Sequence, residues 1–214
     1  MDATIWPFAA LRITTPVLEL RYPDDDDLCA LAHLAAAGIH DPAAMPFYVP
    51  WTRADAPELK RGLLQFGWRR RASLAPDDWS LPFVVCVDGE PVGVQDVFAR
   101  QFAARRVVET GSWLGRRAQG RGIGTEMRAA VLHLAFDGLG ADEAVSGSFT
   151  DNPASAAVSR HNGYVGNGEE VVDREGEAAR LQHWVLTRAA WTARRRGDIT
   201  VEGLDACRPL LTGG

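Results

Sequence analysis

The amino-acid sequence predicts one α/β domain, and three observations carry that expectation. Its 214 residues suffice for one well-buried core but are few for two domains. With 46% hydrophobic and 24% charged residues, the chain has the balance of a packed globular protein rather than of a disordered, collagen-like or coiled-coil one. Two local patterns then put strands and helices side by side. Apolar runs around Asp88-Gly89-Glu90 read as a hairpin, and the glycine-rich segment from Gln119 to Thr125 joins a strand to a helix.

Taken in order, Val17 to Tyr22 reads as the first strand. Asp24 to Asp27 follow Tyr22-Pro23 and precede LCALAHLAAAG. Carboxylates placed there cap free N–H groups and favour the positive end of a helix dipole. Residues 38–54 are rich in proline and aromatic side chains, which excludes regular helix or central strand and predicts an ordered loop. Residues 55–72 return to helical character. Leu81 to Val87 and Pro91 to Ala99 are the arms of the hairpin, because Asp-Gly tolerates the positive φ of a tight turn. Arg106 to Gly115 is the next strand. After the glycine segment, Ile123, Met127, Ala130, Val131, Leu134 and Ala135 recur at helical spacing and define one buried face. A strand at about 143–149, a helix opening at Asn152-Pro153, a strand starting near Tyr164 and a last strand at about 181–187 complete the order. No repeat or low-complexity tract interrupts it. The domain spans 1–214, with its core at about 15–190 and a tail at 191–214 that gives no element.

Charge and composition exclude several functions. Net charge −5 and a pI near 5.5 remove the electrostatic term that drives nucleic-acid binding and mildly favour a cationic partner. The N-terminus MDATIWPFAA lacks a basic region with a long apolar core, and nowhere is there an apolar run long enough to span a bilayer. Cys29, Cys86 and Cys207 are far apart and odd in number, so the expectation is a cytoplasmic protein without disulfides or a thiolate zinc site. The histidines are scattered singly without metal-ligand spacing, and no metal is expected.

The segment Gln119-Gly120-Arg121-Gly122-Ile123-Gly124-Thr125 is neither a P-loop nor the GxGxxG of dinucleotide folds. It also follows a hairpin and a further long strand, where a dinucleotide loop would follow the first strand. Glycines between a strand and a helix let backbone N–H groups approach an anion at the helix start, so a phosphate ligand is the natural inference. These residues resemble the Q/R-x-x-G-x-G/A pyrophosphate loop of the GNAT acyltransferases. Gly111-Ser112-Trp113-Leu114-Gly115 resembles the GYWL strand of the ribosomal-protein N-terminal acetyltransferase branch, with Ser112 where an aromatic is common. Asn152-x-x-Ser155-x-x-Val158 and Asn162-Gly163-Tyr164 resemble that branch's NxxSxxVxxKxGF helix. Hairpin, central strand, loop and second helix arrive in the family's order over roughly residues 15–190. LRITTP, HDPAAMPF, PWTR and DDWSLP are further similar to an actinobacterial subgroup known to use succinyl-CoA.

The resemblance implies a GNAT fold, a mixed and mostly antiparallel sheet flanked by helices. It implies acyl transfer from acetyl-CoA or succinyl-CoA to a primary amine, either a small molecule or a protein N-terminus or lysine, through a ternary complex. Coenzyme A is then held with its pyrophosphate on the N–H groups of Gln119, Gly120, Arg121, Gly122, Ile123, Gly124 and Thr125. Its pantetheine arm pairs with the strand at Trp113 and Leu114 and touches Asn152. A CoA-binding module without turnover is the alternative reading, and the chain is a monomer or a homodimer.

Amine acylation needs a base for the ammonium proton and a donor for the oxyanion, and it is helped by an acid for the thiolate. Glu109 shares a strand face with Gly111 and Trp113 by the period of two, and the family often has a general-base Glu at this distance before its loop. Four strand steps at about 3.3 Å each separate Glu109 from Trp113, so a water relay is expected, with a salt-bridged strand Glu as the other reading. Ser155 and Ser159 lie four apart on the face that in this family points to the sulfur, and either could donate to it. Ser155 is equally suited to a helix start after Asn152, and Tyr164 to packing. Trp6, Phe47, Tyr48 and Trp51 suit a pocket wall or the core. Arg53 is the cation nominated to pair with a succinyl carboxylate.

Overall fold

The Asp-Gly turn forms as its residue types dictate. In the computed structural model, which describes residues 1–213, Asp88 and Gly89 take φ of 51° and 82°. That turn joins β3 (Asp78–Val87) to β4 (Glu90–Arg100). These strands belong to one sheet with β1 (Arg12–Thr14), β2 (Glu19–Arg21), β5 (Val107–Leu114), β6 (Glu143–Phe149), β7 (Val165–Arg174), β8 (Glu177–Thr187) and β9 (Thr200–Glu202). The order across the sheet is β7-β8-β6-β5-β4-β3-β2-β1-β9. Its pairings are antiparallel except β5 with β6, whose connection must cross over and does so through a helix. This is the mixed, mostly antiparallel α/β architecture expected from the sequence.

The helices are α1 (Asp25–Ala36), α2 (Ala56–Ala72), α3 (Phe102–Arg105), α4 (Ile123–His133), α5 (Pro153–His161), α6 (Arg188–Thr192) and α7 (Leu204–Thr212). The aspartate run starts α1 as a capping box. Asp24 accepts from the Asp27 N–H, and the Asp27 carboxylate accepts from the Asp24 N–H. Asp27 also pairs with Arg21 at 2.6 Å, which ties the helix start to β2. Asp55 caps α2 by accepting from the Glu58 N–H at 2.8 Å. Residues 38–54 form a loop whose one regular piece is a 3-10 turn at Trp51–Arg53.

Each face of the sheet is covered by a different helix layer. Val108 and Leu114 of β5 pack with Ile123, Met127, Ala130 and Val131 of α4. On the opposite face, Trp113 packs with Val84 and Cys86 of β3 and with Leu31 of α1. Burial keeps the Cys86 and Cys207 thiols protonated, raising each to about 11. Among the described residues, no helix is long and apolar enough to cross a membrane.

The structure adds elements at the sheet edge. The first strand is β1, with β2 second and starting at Glu19 rather than Val17, and 181–187 is not the last strand because β9 follows. β9 pairs with β1, and α7 buries Leu204, Cys207 and Leu211. Trp79 of β3 donates to the Leu211 carbonyl at 2.9 Å.

Candidate active site

The site begins where two strands part. β5 and β6 pair only at Val107↔Glu143, Val108↔Ala144 and Glu109↔Val145. β6 runs on beside β8 as far as Phe149↔Leu181, and β5 runs on beside β4 as far as Leu114↔Gly93. From Thr110 and Ser146 onward a gap therefore opens between them, with no backbone ladder across it. Ser146 closes the vertex by donating to the Thr110 carbonyl at 3.1 Å, and Thr110 Oγ1 donates to the Val145 carbonyl at 3.3 Å.

The glycine loop sits beyond the wide end of the gap. Gly120 and Gly122 have φ of 70° and 80°, and nothing lies within 4 Å of where a Cβ would project from either. The N–H groups of Gln119 and Thr125 are used within the loop, on the Arg116 and Gly122 carbonyls. Among the described residues, those of Gly120, Arg121, Gly122, Ile123 and Gly124 have no backbone acceptor, and the α4 start has no side-chain cap. The Gln119 side chain donates to the Ile39 and Leu114 carbonyls at 2.7 and 2.8 Å, so it anchors the loop. Arg116, Arg117 and Arg121 are exposed around it.

On the α1/α2 face, β5 shows no register shift against β4, so Glu109 and Trp113 share a side with Gly111 between them. A Cβ on Gly111 would meet nothing within 4 Å, which leaves a slot above it. Glu109 lines a cleft of about 270 Å³ with Phe98, Arg100, Arg105 and Val145. The surrounding protein raises its carboxyl above the usual value, while Arg100, His183 and Arg105 pull it back. Asp96 stands directly opposite Gly111 and accepts from Ser80 at 2.9 Å. Burial pushes Asp96 up to about 6, against the Ser80 bond and Arg70. Sequence reasoning missed Asp96. Its signal was a carboxylate inside an apolar strand.

α5 supplies the other wall. Asn152 caps it, its Oδ1 accepting from the Ser155 N–H at 3.1 Å. The Ser155 hydroxyl is half-buried, whereas Ser159 is fully buried and its hydroxyl has no partner. Ser155 is thus the more accessible serine of the pair. Tyr164 is buried with its hydroxyl 3.3 Å from Thr110 Oγ1, so it packs and braces the vertex.

The proline-rich loop roofs the gap. Trp51 lies against Trp113 of β5 at 6.0 Å between ring centroids and against Phe47 at 5.2 Å. On the other side Arg53 forms a two-pronged pair with Glu175 of the β7–β8 turn at 2.7 and 3.0 Å and also donates to the Pro42 carbonyl. Arg174 donates to the Met45 carbonyl at 3.2 Å. Trp51 and Phe47 therefore line the roof, Tyr48 is exposed, and Trp6 packs with Phe8 and Tyr22. Arg53 is thus already paired with a carboxylate of the chain, on the exposed side of the loop.

A different arginine lies at the vertex. Arg128 of α4 is only 3% exposed. It donates to Ser146 Oγ at 3.2 Å and to Gln95 Oε1 at 3.4 Å, and its guanidinium lies 5.8 Å from the Tyr164 ring centroid. Its signal in the sequence was a charge among the buried positions of an amphipathic helix.

The comparisons agree with this geometry. Residues 18–165 match the acetyltransferase (GNAT) domain family. Among similar solved structures is RimL, the ribosomal L7/L12 alpha-N-protein acetyltransferase, in complex with coenzyme A. It is 20% identical with a TM-score of 0.64, covering 81% of this chain and 95% of that one. A chimera of spermidine N-acetyltransferase SpeG from Vibrio cholerae and hSSAT is 17% identical with a TM-score of 0.64, covering 82% and 98%. The microcin C7 self-immunity acetyltransferase MccE, in complex with acetyl-CoA and AMP, is 17% identical with a TM-score of 0.63, covering 80% and 93%. A sheet parted between β5 and β6, with a glycine loop at the mouth of the gap and a family match over most of its length, identifies the chain as a member of the acetyltransferase (GNAT) family.

Proposed function

We propose that the chain transfers an acetyl or succinyl group from coenzyme A to a primary amine in a ternary complex. The single observation that carries this is the gap that opens beyond Glu109↔Val145 and leads to unpaired N–H groups at the start of α4. An extended thioester fits that shape. Its diphosphate meets the N–H groups of residues 120–124 and the positive end of the helix, and its arm lies along Trp113 and Leu114 with Asn152 and Ser155 opposite. The neighbours with printed substrates act on a ribosomal protein and on spermidine, and a net charge of −5 favours a cationic amine here too. The succinyl option rests on the subgroup resemblance.

In the reaction, the ammonium of the acceptor sits in the slot above Gly111 and loses its proton to Glu109 through a water. The free amine attacks the thioester carbonyl. The C–N bond forms, backbone donors along the open edge of β5 stabilise the oxyanion, and the C–S bond breaks. As the C–S bond breaks the nitrogen sheds its second proton, which reaches the departing thiolate through Ser155, leaving the serine unchanged, or passes to solvent while the thiolate leaves as the anion.

Thermal denaturation with acetyl-CoA, succinyl-CoA, ATP and NAD tests the binding step. A ligand bound only to the native state stabilises it by about 2.7 kcal/mol at a hundredfold excess over Kd. Stabilisation by the acyl-CoAs alone, together with thiol release over a panel of amines, is the expected result. Stabilisation without thiol release on any amine would assign a sensing module instead.

A further inference from the structure

The sheet face that carries Glu109 continues across the gap. Val145 of β6 stands beside Glu109 and beside Val185 of β8, so all three share one side of the sheet. Two residues along β6, Gly147 pairs with His183 of β8, and the period of two puts the His183 side chain on that same side. Gly147 belongs to an interior strand yet is exposed, and a Cβ there would meet only Leu181, at an ordinary 3.6 Å. Gly111, two residues beyond Glu109 on β5, is open in the same way. The two glycines floor one slot, with Glu109 on its β5 side and His183 on its β8 side.

A neighbouring strand holds the histidine. Its Nε2 lies 3.2 Å from Oε2 of Glu170 on β7, which pairs with β8. An ionised carboxylate can only accept, so in the neutral ring Nε2 carries the proton and Nδ1 keeps a lone pair. Nδ1 has no hydrogen-bond partner among the described residues, and the side chain is 41% exposed. β5 and β8 are two strand spacings apart, about 10 Å, and His183 is two residues, about 7 Å, along from the Glu109 row, which sets the two Cα atoms roughly 12 Å apart. That is too far for direct contact and within reach of two such side chains joined by one water.

We propose that His183, oriented by Glu170, is the positioning residue for the water that relays the acceptor's proton to Glu109. Nδ1 accepts one hydrogen of that water and Glu109 the other, which turns the oxygen lone pair toward the ammonium over Gly111 and Gly147. A water held by Glu109 alone would be free to turn. The proposal rests on the reading of this slot as the acceptor site. An ammonium proton passes to the water oxygen as the water gives a proton to Glu109, and the step leaves a free amine, a protonated Glu109 and an unchanged imidazole.

Thiol release from acetyl-CoA, with the primary amine that the parent turns over fastest, tests this in His183→Gln, His183→Asn and His183→Ala. Glutamine puts its amide near the place of Nε2, keeping the Glu170 contact and leaving nothing at Nδ1. Asparagine puts its amide near Nδ1 and gives up Glu170. In His183→Gln, kcat should fall by about tenfold or more. The amine KM, and the acetyl-CoA Kd measured by calorimetry, should stay within about twofold of the parent. His183→Asn should recover part of the lost kcat, and added imidazole should restore turnover to His183→Ala. A structural role predicts the opposite order, because glutamine alone keeps the bond to Glu170. The imidazole arm stands even if one of the amide variants fails to fold. A parent-like kcat in His183→Gln, a loss confined to KM, a higher kcat in His183→Gln than in His183→Asn, or no rescue by imidazole would overturn the role of His183 and leave acyl transfer standing. Thiol release by the parent on no amine would overturn both.

Discussion

Glu109 of β5 and Asp96 of β4 are carboxylates on one face of the sheet, and their surroundings shift both in the same direction. Both are raised above their ordinary values by burial, Asp96 to about 6. For Glu109 this brings basicity closer to neutral pH, where proton transfer is most effective. Glu109→Gln keeps the shape and removes the base, so kcat/KM should fall by about 10² to 10⁴ at neutral pH. The loss should shrink at high pH, where the amine arrives already deprotonated. A loss equal at all pH values would make Glu109 a structural residue. For Asp96 the linkage runs through stability. The native state keeps the proton up to about 6, whereas the unfolded chain releases it near 3.8. Parent stability therefore falls as pH rises from about 4 to 6. Asp96→Asn removes that loss and should gain roughly 2–3 kcal/mol relative to parent at pH 7 compared with pH 4. Urea unfolding at the two pH values measures it, and a difference independent of pH would contradict the burial argument.

At the scale of elements, the strongest local signals were the ones the chain obeyed. Asp88-Gly89, the Asp24 to Asp27 cap and Asn152-Pro153 each formed the turn or helix start their chemistry demands. What escaped were pieces whose stability comes from elsewhere. β1 and β9 are three residues each, too short to show a period of two; β1 is held between β2 and β9, and β9 is held by β1. α7 carries Leu204, Cys207 and Leu211 on its buried face, but Pro209 inside the helix masks the pattern. The candidate site was legible where it is local, in the loop and in the strand face of Glu109. Arg128, Asp96 and the Arg53–Glu175 pair were not, because their roles depend on partners from distant strands and turns. If α7 is part of the core, Leu211→Ala should cost about 2–5 kcal/mol in chemical denaturation. A change below about 0.5 kcal/mol, the size of ordinary surface substitutions, would show a detachable tail.

Across the whole molecule, the two helix layers and the parted sheet divide labour. On the proposed reading, the α4 side presents the glycine loop to the donor, and the α1/α2 side presents Glu109, Asp96 and the slot above Gly111 to the acceptor. The roof between them is fixed at both ends, by Trp51 on Trp113 and by Arg53 on Glu175. On that reading donor and acceptor meet through the gap between β5 and β6, and that passage is the central claim. Its most direct test is thermal denaturation with and without acetyl-CoA in the parent and in Gly122→Val. Gly122 has a φ of 80° and open space where a Cβ would point, so valine strains the loop and projects into the space assigned to the diphosphate. Gly124 is the poorer probe because its Cβ would press on Val158 at 3.2 Å. A clear rise in Tm for the parent that disappears in a folded Gly122→Val variant is the predicted result. An equal rise in both would contradict it and move coenzyme A out of the glycine loop.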